Sequence, residues 1–229
     1  MPKSEGEKLP GYRIQPTLEA IQRLRRGWDR HHRPDDLRQL LRLFRKVELR
    51  QGYQLDYISL QRGGVRRIWP YARLERNQEA PEKLLGIPPD RLADENPGGS
   101  LSDVEAESLY QHIDYERSAL GLAEYAFFMT ELWAFKSKSW AEDWLGLEPL
   151  VARHAFESVL RKSPGQLVRV SRPDHYDPTV ILEDVGGRVR FLAYQAKPLR
   201  RILQIELQVE ASGHVSWQPL EVIASLQRR

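Results

Sequence analysis

The sequence predicts an α+β fold: N-terminal helices and a β-hairpin, a helical middle, and a C-terminal antiparallel sheet. Three observations predict it. Two segments near the N-terminus repeat apolar residues at helical spacing, one central stretch is apolar on every side of a helix, and the last third alternates like strands between glycine turns.

Residues 1–10 are polar, with little to bury, and read as a flexible tail. A first helix is expected over 17–29, capped by Thr17, with Leu18, Ile21, Leu24 and Trp28 on one side. The His31-His32-Arg33-Pro34 stretch interrupts it. A second helix over 35–46 carries the stripe Leu37, Leu40, Leu41 and Phe44, and its early aspartates suit the positive end of the helix dipole. A hairpin follows, with strands at 53–60 and 65–74 around Arg62-Gly63-Gly64. Residues 77–100 hold four prolines, the last in a Pro-Gly-Gly breaker, and read as a linker.

The Ser102-Asp103-Val104-Glu105 capping box opens a helix expected to run to residue 115. The stretch 118–144 is apolar all round, which predicts a buried central helix. Another amphipathic helix is expected over 150–162. Strands are expected at 166–171, 179–183, 188–195, 200–210 and 214–217, with turns at Gly186-Gly187 and Ser212-Gly213 and a short helix from Pro219. The organisation is therefore a tail (1–10), a basic helix–helix–hairpin segment (11–76), a linker (77–100), an acidic helical segment (101–163) and an antiparallel β segment (164–229), which together can form one composite domain.

Charge follows this partition. Residues 1–76 carry 18 Lys and Arg against 9 Asp and Glu, a net of +9. Residues 77–157 carry 6 against 16, a net of −10, and residues 158–229 carry 11 against 7, a net of +4. Such asymmetry suits a polyanion at the basic ends, or a basic protein partner docking on the acidic helical middle. With no cysteine, disulfides, thiolate zinc sites and cysteine nucleophiles are excluded. No apolar run reaches the roughly 18 residues of a membrane span, and no signal-peptide stretch opens the chain. The expectation is a cytoplasmic protein with no membrane partner.

Arg38, Arg42 and Arg45 recur at intervals of four and three, which places them on one helix face. Arg62, Arg66 and Arg67 flank the hairpin turn, with Trp69 and Tyr71 close behind. Arginine interleaved with aromatics suits a phosphate backbone and stacked bases. Equally, Trp69 and Tyr71 can pack inward while the arginines keep an edge solvated. The functional expectation is a non-enzymatic nucleic-acid-associated or regulatory protein, held through Arg38, Arg42, Arg45, Arg62, Arg66, Arg67 and Trp69, without a cofactor. A protein–protein adaptor is an alternative.

A second pattern lies near the C-terminus. Pro173-Asp174-His175-Tyr176-Asp177-Pro178 enters a strand, Gly186-Gly187 reverses it, and the return strand ends in Gln195-Ala196-Lys197. This resembles the core hairpin of the PD-(D/E)xK nuclease superfamily. The resemblance implies a magnesium-dependent nuclease with Asp177 and Gln195 at the metal and Lys197 orienting water. Thr179 stands sixteen positions before Gln195, about where such hairpins place their acid, and a plain hairpin with a polar end fits equally. Leu55-Asp-Tyr-Ile-Ser-Leu60 with Arg67 to Pro70 resembles the first hairpin of WYL-type regulatory domains, and 189–194 echoes a later strand of that family. No Walker loop, GxGxxG, GxSxG or HExxH motif is present.

Overall fold

A computed structural model describes residues 6–31, 35–62, 65–76, 109–135, 147–162, 167–169, 171, 173, 175–195 and 200–226. The chain enters through β1 (Glu7–Lys8) and a 3-10 turn at Gly11–Arg13, then forms α1 (Gln15–His31) and α2 (Asp35–Leu43). Next come β2 (Val47–Leu49), the hairpin β3 (Tyr53–Arg62) and β4 (Val65–Leu74), and β5 (Ile113–Tyr115). The central helix α3 (Ala119–Phe135) precedes β6 (Leu147–Leu150), α4 (Arg153–Lys162), β7 (Leu167–Arg169), β8 (Thr179–Leu182), β9 (Gly187–Gln195), β10 (Arg201–Val209) and β11 (Val215–Leu226). The α+β architecture is as expected.

Seven strands form one antiparallel sheet, six of them in the order β1-β8-β9-β10-β11-β7 and the seventh, β6, added alongside β9. Its centre is β9, which pairs with β10 along its whole length. The other edge of β9 is shared. β8 pairs with Gly187 to Arg190, and β6 pairs with Leu192 to Gln195. The β3–β4 hairpin and the short β2–β5 pair are separate two-stranded sheets.

The α3 sequence dictates the layering. Leu122, Ala123, Tyr125, Ala126, Phe127, Phe128, Met129 and Leu132 surround the helix and are all buried. A helix without a polar face must be enclosed on all sides. One side lies on the sheet, where Phe127 meets Phe191 at a centroid separation of 4.9 Å. The N-terminal elements close other sides. Phe128 meets Phe44 after α2 at 5.3 Å, and Tyr125 meets Tyr115 of β5 at 4.7 Å. One continuous core thus joins Leu37 and Leu40 of α2, Leu55 of β3, α3, and Val189, Phe191, Leu203 and Ile205 of the large sheet. The opposite sheet face is covered at one end by α4, whose Phe156 packs with Leu192, Ile202, Ile223 and Ala224.

A buried carboxylate completes this core. Glu124 of α3 is 3% exposed and accepts a 2.7 Å hydrogen bond from the Lys46 backbone N–H, just past the end of α2. Desolvation raises the Glu124 pKa, and the nearby backbone N–H groups and charges of Lys46 and Arg45 only partly oppose it. Nearby, Lys46 also pairs with Glu116 at the surface, where such pairs contribute little.

Several expectations are corrected. Residues Glu7–Lys8 are not tail: they pair with Thr179 and Val180, and Leu9 is fully buried. The sparse apolar content hid this, because one leucine suffices to anchor a two-residue strand. The helix expected to reach 115 stops earlier, since Ile113–Tyr115 pairs with Val47–Leu49. No helix starts at Pro219, which lies within β11 opposite Ile205. The ladder shifts register beside that pair, between Gln204 and Ile205, and an irregular position tolerates a residue without an N–H. Strands β2 and β6 were not anticipated. The 77–100 linker, the 102–105 capping box and the 63–64 turn lie outside the described residues. Among the described residues, no helix is long and apolar enough to cross a membrane.

Glu124→Ala should destabilise the fold by about 1–3 kcal/mol, because the Lys46 N–H loses its acceptor and the core loses a buried side chain. Glu116→Ala, which breaks only a surface pair, should leave stability nearly unchanged. Urea unfolding of both variants checks the contrast. A raised folded-state pKa means the folded chain holds this proton more tightly than the unfolded chain does. The Glu124 contribution is therefore fullest below the ordinary carboxylate range and declines as pH rises through the raised value. Unfolding across that range should show wild type losing stability relative to Glu124→Gln as pH rises.

Candidate functional site

The basic face of α2 is set by what its other face buries. Leu37 and Leu40 are 0% exposed and Phe44 2%, which turns Arg38, Arg42 and Arg45 outward, where all three are exposed. Arg38 Nη2 donates a 2.8 Å hydrogen bond to Gln54 Oε1 of β3. That bond ties the basic helix to the base of the hairpin. Beside it, Arg73 of β4 pairs with Asp56 of β3 at 2.8 Å. His112 stacks on Tyr53 at 3.9 Å, which joins the hairpin base to the segment leading into β5.

The backbone register places the remaining basic candidates towards the hairpin tip. Arg62 lies opposite Val65, Arg66 opposite Gln61, Arg67 opposite Leu60 and Trp69 opposite Ile58, while their side chains lie outside the described residues. Eight residues separate Gln54 from Arg62, roughly 26 Å at the usual strand rise. The structure thus brings the three helix arginines together and sets the tip at a distance from them. Tyr71, by contrast, is 1% exposed and belongs to the interior.

The C-terminal candidates are arranged differently. Gln195 ends β9 on the face that carries Phe191 and Ala193 against α3, and is 8% exposed. Its amide oxygen accepts from Arg201 Nε across the β9–β10 ladder. On its other edge the neighbour is Leu147 of β6, because β8 has already left β9 beyond Arg190. Asp177, just before β8, is therefore not on a strand position facing Gln195. Its Oδ1 accepts a 2.9 Å bond from the Gly11 N–H. A side chain at Gly11 would stand 1.8 Å from the Val151 carbonyl oxygen, so only glycine allows this approach. Lys197 lies outside the described residues. Among the described residues, no three His, Cys, Asp or Glu side chains form a group able to hold a metal ion.

One feature escaped sequence reasoning. A cleft of about 860 Å³ opens between the β2–β5 pair and two turns of the large sheet, at Val185-Gly186 and at 210–214. Tyr125 of α3 lines it, and its hydroxyl donates a 2.8 Å bond to the Gly213 carbonyl. Gly213 has φ +84°, and a Cβ there would stand 2.7 Å from that hydroxyl, so the turn requires glycine twice over. Tyr110 meets His214 edge-on at 5.7 Å. Burial raises the pKa of both Tyr115 and Tyr125, so both phenols stay protonated near neutral pH. Arg117 donates to the carbonyls of Glu183 and Asp184 and so fastens the adjoining β8–β9 turn. These lining residues come from segments about a hundred positions apart, and no local motif links them.

In comparisons with known proteins, no family model, no curated protein and no solved structure matches this chain.

Asp177→Ala should destabilise the fold by about 1–3 kcal/mol through loss of the Gly11 contact. Thermal or urea unfolding checks it, with Asp177→Asn, which retains an acceptor oxygen, expected to recover part of the loss.

Proposed function

We propose that the protein binds a nucleic-acid backbone without catalysing a reaction on it, through Arg38, Arg42 and Arg45 of α2. The observation that carries this reading is the outward-facing arginine row on a helix whose opposite face is locked into the core. Because Leu37, Leu40 and Phe44 are buried, the row is held at a fixed orientation, and binding phosphates costs no rotation of the helix. Arginine suits the role because its planar fork of donors meets two phosphate oxygens at once. The Arg38–Gln54 bond adjoins this face to the hairpin base, and Arg62, Arg66, Arg67 and Trp69 extend the same contact along an elongated partner.

Affinity of this kind depends on counterion release and falls as salt rises. Neutralising Arg42 and Arg45 leaves the Arg38–Gln54 bond in place. The Arg42→Gln/Arg45→Gln variant should fold normally and bind single- or double-stranded oligonucleotides at least about tenfold more weakly. Its log–log salt slope should be shallower by about 2. Fluorescence anisotropy over a salt series measures both quantities, and an unchanged affinity and slope would exclude this surface.

A further inference from the structure

We infer that the cleft between β5 and the 210–214 turn is a binding site for an organic cation, a guanidinium or protonated amine on a small carbon frame. This goes beyond the backbone-binding reading and uses a different part of the molecule. The lining carries two carboxylates, Asp114 and Glu210, and one guanidinium, Arg50. An anionic ligand would meet both carboxylates, whereas a cation meets a net negative lining in a chain that is net positive overall.

The carboxylates also retain capacity to accept. Glu210 has only distant partners, with His214 Nδ1 at 3.7 Å and Ser212 Oγ at 3.4 Å, and its side chain is 50% exposed. Asp114 meets Arg50 at 3.2 Å, with the two side chains 55% and 53% exposed. An exposed pair of this kind is weak and leaves the second carboxylate oxygen open to another donor. The half-buried Tyr115 also lines the cleft, its ring held against the buried Tyr125, whose hydroxyl is bonded to Gly213. A neutral, partly exposed tyrosine ring such as that of Tyr115 attracts a cation to its face. The cleft volume of about 860 Å³ falls within the range of small-ligand sites.

The same chemistry can arrive as a free metabolite or as an arginine side chain of a partner protein. Agmatine and the tripeptide Gly-Arg-Gly distinguish the two, with adenosine monophosphate as the anionic control. In ¹⁵N–¹H correlation spectra of the full chain, agmatine should cause saturable shifts concentrated at Asp114, Tyr115, Gly186 and residues 210–214. Adenosine monophosphate should leave those signals in place. Asp114→Asn/Glu210→Gln keeps size and polarity while removing both charges, and should weaken agmatine at least about tenfold. Tighter binding of agmatine than of the tripeptide identifies a free ligand, and the reverse order identifies a partner's side chain. Three results would each overturn the proposal: shifts that spread without saturating, shifts that survive the double substitution unchanged, or displacement of agmatine by adenosine monophosphate.

Discussion

Everything in this fold depends on enclosing α3. Its sequence offers water no polar stripe, so the helix is stable only where apolar surface meets it on all sides. The seven-stranded sheet supplies one wall through Phe191 and its neighbours. The N-terminal helices, the hairpin base and β5 supply the others. Neither half of the chain could bury this helix alone, which is why the basic N-terminal elements and the C-terminal sheet share a core. Glu124 marks the limit of that enclosure. Where the chain turns after α2, the Lys46 N–H is met by a carboxylate of the central helix, at the cost of that carboxylate's own desolvation.

The parts of the fold legible in the sequence were those that local periodicity specifies. The stripe of Leu37, Leu40 and Phe44, the isotropic helix around Phe127, and the alternation of Val189, Phe191 and Ala193 each follow from spacing alone. Short strands were not legible. Glu7–Lys8, Val47–Leu49, Ile113–Tyr115 and Leu147–Leu150 contain two to four residues, too few to show a period. They exist because a distant segment offers an edge, as β9 does for β6 once β8 has ended. The same reason governs the candidate sites. The arginine row of α2 is a local pattern and was readable. The pairing of Gln195 with Arg201 and Leu147, and of Asp177 with Gly11, depends on long-range register. The cleft is assembled from five separate segments and left no local trace.

The two proposed surfaces answer to different constraints. The α2 face draws its orientation from buried leucines beneath it and asks only for density of like charge. The cleft draws its shape from glycine turns and a fixed tyrosine, and its character from charges of both signs held at close range. A surface of the first kind tolerates a long, uniform partner, whereas a cavity of the second kind discriminates by size and sign.

The docking of β1 has a kinetic side. Glu7 and Lys8 pair with residues 179 and 180, and Gly11 is held by Asp177, 166 positions along the chain. Closing so long a loop is entropically costly and is repaid only once the partner strand is in place. During synthesis, then, β1 and the 3-10 turn leave the ribosome well before the segment that fixes them. Leu9 and the 3-10 turn remain without their partners until β8 has emerged, and over that interval the nascent chain carries an incomplete edge that a chaperone or a second chain can meet first.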